Sequence, residues 1–153
     1  MEAFLKRFGP GPRRGPQGAR IVRCWLGARP DVRAGALPRA VAAMIGYPAS
    51  PDGWPEGKSL ESIGRHKAGP LLAFVATRSL LHGGGAPRKS YVTLAVQALA
   101  EFDDGAIFLT NTPGWLTSGA FGWSVQLTDA VLEAGLIAYD ATHAMIFWVG
   151  ESD

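Results

Sequence analysis

The stretch LIAYDATHAMIFWVG, residues 136–150, decides the fold class of this chain. Two apolar runs of strand length flank a tight link at Ala141 and Thr142. Short apolar runs that are rich in aromatic and β-branched residues and are separated by a turn are typical of paired strands. We therefore predict that this stretch forms a β-hairpin.

Upstream of the hairpin, segments typical of strands and of helices alternate along the chain. Strands are predicted over residues 19–28, 71–79 and 106–110. Apolar residues at helical spacing predict helices over residues 37–46, 91–102 and 124–135, the last of them ending at Gly135. Because a hairpin closes this alternating order, we predict an α+β fold: a two-layer sandwich with a mixed β-sheet and helices on one face.

Length and composition indicate a single globular domain behind a flexible segment. The 153 residues suffice for one core, and 47% of them are hydrophobic, which excludes a largely disordered chain. Glycine and proline recur over residues 9–16, so we expect a flexible basic leader over 1–18 and one α+β domain over 19–153. The leader lacks the apolar core of a secretory signal. No apolar run is long enough to span a bilayer. With Cys24 as the single cysteine, we expect a cytoplasmic protein that does not act at a membrane.

Charge is distributed unevenly between the two parts of the chain. Residues 1–40 carry nine Lys and Arg against two acidic residues, whereas residues 41–153 carry six basic and eleven acidic residues. A basic arm can bind nucleic acid, but no aromatic residue interleaves with the arginines between Phe8 and Trp25. We expect the arm to be solvated, and binding of nucleic acid through it stays open as an alternative.

The stretch GGGAPRKS, residues 83–90, resembles a phosphate-binding loop without matching it. Gly83, Lys89 and Ser90 are in place, but Arg88 stands where the P-loop has its second glycine. A β-carbon hinders the conformation that this position needs. Ser90 is a candidate N-cap for the next helix, so we expect at most an anion site formed by Arg88, Lys89 and Ser90 at that helix N-terminus. A small enzyme or nucleotide-binding protein that uses this loop is the alternative.

No catalytic or metal site can be assembled from the sequence. The three histidines, His66, His82 and His143, show none of the spacings of zinc ligands. No GxSxG motif presents a serine to a pair such as His143 and Asp140. We therefore expect no catalytic residue, no cofactor and no metal.

Aromatic residues in two loops rich in glycine and proline are the best candidates for a binding surface. Trp54 lies in the first loop, residues 47–57, and Trp115, Phe121 and Trp123 lie in or beside the second, residues 111–123. Loops carry recognition more often than core packing does, and tryptophan supplies much of the energy of protein interfaces. We predict that these four residues bind a partner, with capping of the core as the alternative.

The pattern from HKAGPLLAFVATRSLL, residues 66–81, through YVTLAVQALAEFDDGAIFLTNTPGWL, residues 91–116, resembles that of small bacterial α+β domains. Some domains of this kind are encoded beside toxin and immunity genes. The resemblance implies an immunity or accessory protein that masks another protein, with His66, Phe108, Gly114 and Trp115 as the matching positions. The acidic body of the chain suits a basic, toxin-like partner.

Overall fold

A computed structural model describes residues 1–15, 18–47, 60–82, 85–115, 127–128 and 130–152. The helices in these ranges are α1 (Glu2–Phe8), α2 (Leu37–Ala43), α3 (Arg65–Thr77) and α4 (Lys89–Leu99). The strands are β1 (Gly11–Gly15), β2 (Gly18–Ala28), β3 (Glu61–Ile63), β4 (Ile107–Thr110), β5 (Leu132–Tyr139) and β6 (His143–Ser152). None of these helices is both long enough and apolar enough to cross a membrane.

The strands form one open sheet in the order β1-β2-β6-β5-β4-β3. The α+β fold class is confirmed, and β5 and β6 form the predicted hairpin. The sheet is not mixed in the part of the chain that is described, since every neighbouring pair is antiparallel. Two helices, α3 and α4, connect β3 to β4. The chain therefore lacks, at this point, the single crossover helix that would make these neighbouring strands parallel.

Both faces of the sheet are covered by apolar side chains. Along β6, Met145, Phe147 and Val149 join the core formed with α1, α3 and α4, while Ile146 and Trp148 join a second cluster that includes α2. All five residues are fully buried. The prediction of helices on one face therefore holds for three helices, whereas α2 packs on the opposite face.

A glycine explains why residues 132–135 are a strand and not the end of the predicted helix. Gly135 pairs with Trp148 across the β5–β6 ladder. A β-carbon on Gly135 would lie 2.1 Å from Cε3 of the indole, so only glycine lets the ring lie flat on the neighbouring strand. Gly135, which we predicted to end a helix, instead makes room for the Trp148 ring.

The predicted strand over residues 71–79 is wrong, because this segment belongs to α3 up to Thr77. Helix α3 lies between the sheet and α4, and Ala68–Ala76 is buried apart from the half-buried Pro70. A helix covered all round has a continuous apolar run, which periodicity alone cannot distinguish from a buried strand. Gly69 permits the close approach of α4, since a β-carbon there would lie 2.5 Å from Cγ2 of Val96.

The N-terminal segment is part of the domain, so the predicted flexible leader over 1–18 is wrong for residues 1–15. Met1, Phe4 and Phe8 are buried in the core against the sheet. The Phe4 ring lies 4.7 Å from that of Phe8 and 6.1 Å from that of Phe147, between centroids. Strand β1 then pairs along its whole length with β2. The helical spacing of Met1, Phe4 and Phe8 favours this packing. The glycines and prolines that follow them led instead to the prediction of a flexible leader.

A partly buried ion pair joins β2, β6 and the end of α3. Arg20 of β2 donates to Glu151 Oε1 of β6 at 2.6 Å and also binds the carbonyls of Val75 and Arg78. The other oxygen of Glu151 accepts hydrogen bonds from Ser79 Oγ at 2.8 Å and from the N–H groups of the two residues that follow. We call this set the Arg20–Glu151 clamp. It satisfies carbonyls that the end of a helix leaves without partners.

Replacing Phe4 with alanine tests whether α1 is part of the folded domain. We expect Phe4→Ala to lower the free energy of unfolding by about 3 kcal/mol, because it removes a buried ring and leaves a cavity. Urea denaturation measures this change. The exposed Lys6 of the same helix provides the control, since Lys6→Ala should change stability by less than about 0.5 kcal/mol. Equal, small effects of both substitutions would contradict the docking of α1.

Candidate functional site

The first loop that carries predicted binding aromatics ends, and the second begins, at one corner of the sheet. Glu61, the first residue of β3, pairs with Thr110, the last residue of β4. The segment 48–59 therefore ends next to the point where the segment after Thr110 begins. We call this region, Glu61–Lys67 with Thr110–Trp115, the β3–β4 corner. Strand β3 is at the edge of the sheet, so the corner is accessible from outside.

Buried polar side chains hold the β4 side of this corner rigidly. Thr110 Oγ1 donates to the carbonyl of Gly135 at 2.7 Å. The side-chain amide of Asn111 donates to the carbonyl of Glu133 at 3.0 Å and accepts from the N–H of Gly135 at 3.2 Å. Asn111 thus extends the β4–β5 ladder by one pair after the main chain has left the sheet. The sequence placed Asn111 only at the start of the loop 111–123, and this role was missed.

An open cleft of about 480 Å³ lies at the corner. Its walls are β3 with Gly64, the residues His66 and Lys67 of α3, and the turn at Pro113 and Gly114. A β-carbon on Gly64 would lie 2.8 Å from the His66 ring, which packs against the start of the helix. The cleft therefore presents a carboxylate, an ammonium, an imidazole and a hydroxyl, a set suited to hydrogen bonds and ion pairs with a polypeptide.

Trp115 is placed at this corner with one face against the core. Its ring stacks on that of Phe74, with 3.5 Å between centroids and 29° between planes. Phe74 is buried, and Trp115 is partly buried and packs against the same cluster. Trp115 therefore caps the core at the edge of the cleft. The other three predicted contact residues, Trp54, Phe121 and Trp123, lie outside the described residues.

The four positions that carry the resemblance also come together here. His66 and Gly114 line the cleft, and Trp115 follows directly. Phe108 is buried beneath the corner, where it pairs with Ile63, and the Arg65 guanidinium lies 5.1 Å from the centre of its ring. Residues from two separate stretches of the sequence thus line the cleft, and Phe108 lies beneath it.

The predicted anion residues lie elsewhere, at the start of α4. Arg88, Lys89 and Ser90 are exposed. The helix begins at Lys89 with Arg88 as its N-cap residue, two residues before the serine that was expected to cap it, and no side chain caps it. Residues 83 and 84 of the glycine-rich loop lie outside the described ranges. The structure brings these three residues together, without showing a cradle for a phosphate.

The histidines and the cysteine do not assemble into a chemical site in the described part of the chain. His66 is at the cleft, His82 follows α3, and His143 begins β6. No group of three or more His, Cys, Asp or Glu side chains that could hold a metal occurs among the described residues. Cys24 is half-buried in β2, and burial raises the pKa of its thiol, which disfavours the reactive thiolate.

Asp140, considered from the sequence as a partner for His143, is occupied by the hairpin turn. Its Oδ1 accepts from the N–H groups of Thr142 at 2.8 Å and His143 at 2.7 Å, and its Oδ2 accepts from the N–H of Asp103 at 3.2 Å. Burial alone would raise the pKa of this carboxyl, but these hydrogen bonds, with one from the Thr142 hydroxyl, lower it to about 2. The carboxylate therefore stabilises the turn.

Comparisons with models of protein families, with curated proteins and with solved structures found no match. We therefore infer function from the residues of this chain and their geometry.

Truncation of Trp115 tests its contact with the core. We expect Trp115→Ala to lower the free energy of unfolding by about 2 kcal/mol, because it removes a stacked, partly buried ring. Trp115→Phe keeps a ring on Phe74 and should cost less than half of that. Chemical denaturation of both variants provides the measurement, and unchanged stability of the alanine variant would exclude Trp115 as a core cap.

Acid titration tests the role of Asp140. A pKa of about 2 in the folded chain, below the ordinary 3.8, means that ionised Asp140 stabilises the fold above pH 3.8 and loses this effect as the pH falls towards 2. Wild type should therefore be more stable than Asp140→Ala at pH 6, and the difference should shrink by about 1 to 2 kcal/mol at pH 2, after allowance for solvent screening.

Urea unfolding at several pH values follows the difference. The exposed Asp104 is the matched control, since Asp104→Ala should show no comparable pH-dependent difference. A difference between wild type and Asp140→Ala that stays constant from pH 6 to pH 2 would contradict an ionised Asp140 in the turn.

Proposed function

We propose that this chain is a non-catalytic protein-binding module, an immunity or accessory protein of bacterial type that masks a partner through the β3–β4 corner. The pairing of Glu61 with Thr110 is the observation that supports this most directly. It joins the ends of the two segments that contain Trp54, Trp115, Phe121 and Trp123. Aromatic residues are the usual source of hot-spot energy at protein interfaces.

The rigidity of the corner supports the same proposal. Thr110 and Asn111 are fully buried and hydrogen-bonded to β5, and Trp115 is stacked on Phe74. A surface that is ordered before binding loses less conformational entropy when the partner arrives. The residues to which the two aromatic-containing loops are joined are therefore ordered before a partner binds. Beside them lies a cleft with polar groups that can fix the orientation of the partner.

Charge supports a basic partner through long-range attraction. Three of the acidic residues in the body, Glu133, Asp140 and Glu151, are buried and bound to internal donors, so they contribute little to the surface. Other acidic residues, among them Glu61, Glu101, Asp103 and Asp104, are exposed. We propose that they raise the association rate with a basic, toxin-like protein, while contacts at the corner supply specificity.

Affinity capture from the source bacterium, followed by binding measurements with the captured protein, tests the proposal. We expect Trp54→Ala to weaken binding about 30-fold, the equivalent of roughly 2 kcal/mol at an interface hot spot. His66→Ala, in the cleft, should weaken it by a smaller factor.

Ile21 provides the control because it is an exposed apolar residue of β2, which three strands of the sheet separate from β3. Ile21→Ala should bind as wild type does. Each variant is first compared with wild type by thermal unfolding, so that lost binding is not mistaken for lost folding. Failure to capture any protein, or equal affinity of the partner for wild type and well-folded Trp54→Ala, would contradict the proposed surface.

A further inference from the structure

Basic residues from three separate segments meet at the N-terminal end of α4. Helix α1 reaches this end because the Phe8 ring lies 5.6 Å from that of Tyr91, edge to face. The Arg7 guanidinium lies 5.9 Å from the centre of the Tyr91 ring. Lys6 and Arg7 are exposed and occupy the last turn of α1, so they lie beside the exposed Arg88 and Lys89 that begin α4.

The end of α3 brings a further arginine to the same end. Arg20 binds the carbonyl of Arg78, and Arg78 in turn donates to the carbonyl of Ala86 at 2.8 Å. The Arg20–Glu151 clamp thus holds β1, by way of β2, next to the α3–α4 connection. We call the set of basic residues at this end the basic end; it consists of Lys6, Arg7, Arg78, Arg88 and Lys89.

The acidic residues near α4 are concentrated at its other end. Glu101, Asp103 and Asp104 follow the last turn of the helix. An 11-residue helix is about 16 Å long, more than a Debye length at physiological salt, so these carboxylates do not neutralise the basic end. Glu151 is nearer, but it is buried and bound to Arg20 and Ser79. Among the described residues, the two ends of α4 therefore carry opposite charge.

This arrangement opposes the local preference of α4. The N-terminal end of a helix carries partial positive charge and favours acidic residues, yet α4 has Arg88 and Lys89 there and no acidic residue in its first turn. The two cations therefore do not stabilise the helix, and an external anion is the partner that would complement them.

We propose that the basic end binds the phosphate backbone of duplex nucleic acid without sequence preference. Three of its five residues are arginine, whose planar guanidinium matches the oxygens of a phosphate better than an ammonium does. Strands β1 and β3 are at opposite edges of the sheet, so this surface is separate from the β3–β4 corner and its binding does not depend on the proposed protein partner.

Fluorescence anisotropy with a labelled DNA duplex of about 20 base pairs tests this inference at about 50 mM NaCl, where phosphate contacts are strong. We expect saturable binding with a dissociation constant of about 1 to 100 µM. The logarithm of the binding constant should fall with that of the salt concentration with a slope of roughly −4, as for four or five phosphate contacts.

The double variant Arg88→Glu, Lys89→Glu should bind at least about 10-fold more weakly, since it removes two phosphate contacts and adds repulsion. It should still fold, because acidic residues suit the first turn of a helix. The variant Arg33→Glu, Arg39→Glu changes the net charge equally at exposed positions before and within α2, on the other face of the sheet. It should bind within about threefold of wild type.

Three results would overturn the inference. The first is that the duplex does not bind, and the second is that the two double variants lose equal affinity for it. The third is that the protein binds phosphatidylserine–phosphatidylcholine vesicles but not the duplex. Displacement of the duplex by poly-glutamate of equal charge would also overturn it, because it would show an unspecialised attraction to acidic polymers. Circular dichroism of each variant separates these results from unfolding.

Discussion

The Arg20–Glu151 clamp is the interaction on which the arrangement of the other elements depends. It joins a strand near the start of the chain, a strand more than a hundred residues later, and the last turn of α3. A buried ion pair is not stabilising merely because its charges are opposite, since both groups lose hydration. Here the carboxylate and the guanidinium also bind backbone groups of the α3 end, so the desolvated groups keep partners. Removal of Arg20 would leave the Glu151 carboxylate buried without this cation.

Helix α3 is fixed at both ends by arginines from outside the hydrophobic core. At its N-terminal end, Arg65 donates to the carbonyls of Leu99 at 2.6 Å and Phe102 at 3.2 Å, and also binds that of Asp103. The same residue therefore starts α3 and satisfies the end of α4. Because one end of α3 contributes to the β3–β4 corner and the other contributes to the basic end, the helix sets the distance between the two proposed surfaces.

The parts of the fold that depend on local pattern were predictable from the sequence. The terminal hairpin, strand β2, helices α2 and α4 and strand β4 all have clear periodicity or turn signals. Errors arose where burial removed periodicity, as in α3, or where one residue had two interpretations, as with Gly135. The packing of α1 was missed because prolines and glycines next to it outweighed three apolar residues at helical spacing. The β3–β4 corner depends on the pairing of Glu61 with Thr110, and the clamp on that of Arg20 with Glu151. No local property of a sequence reports such long-range partners.

The position of β2 in the sheet has a consequence for biosynthesis. Strand β2 lies between β1 and β6, and Cys24 faces Phe147 in the ladder. As the chain leaves the ribosome, β2 must wait for the arrival of β6 before its inner edge is hydrogen-bonded. Helices α3 and α4 are close in sequence and pack against each other, so they can associate before β6 has been made. Until β6 has been made, more than a hundred residues after β2, the nascent chain therefore carries a hairpin with one unpaired edge and apolar residues such as Val22, a state prone to association with other chains.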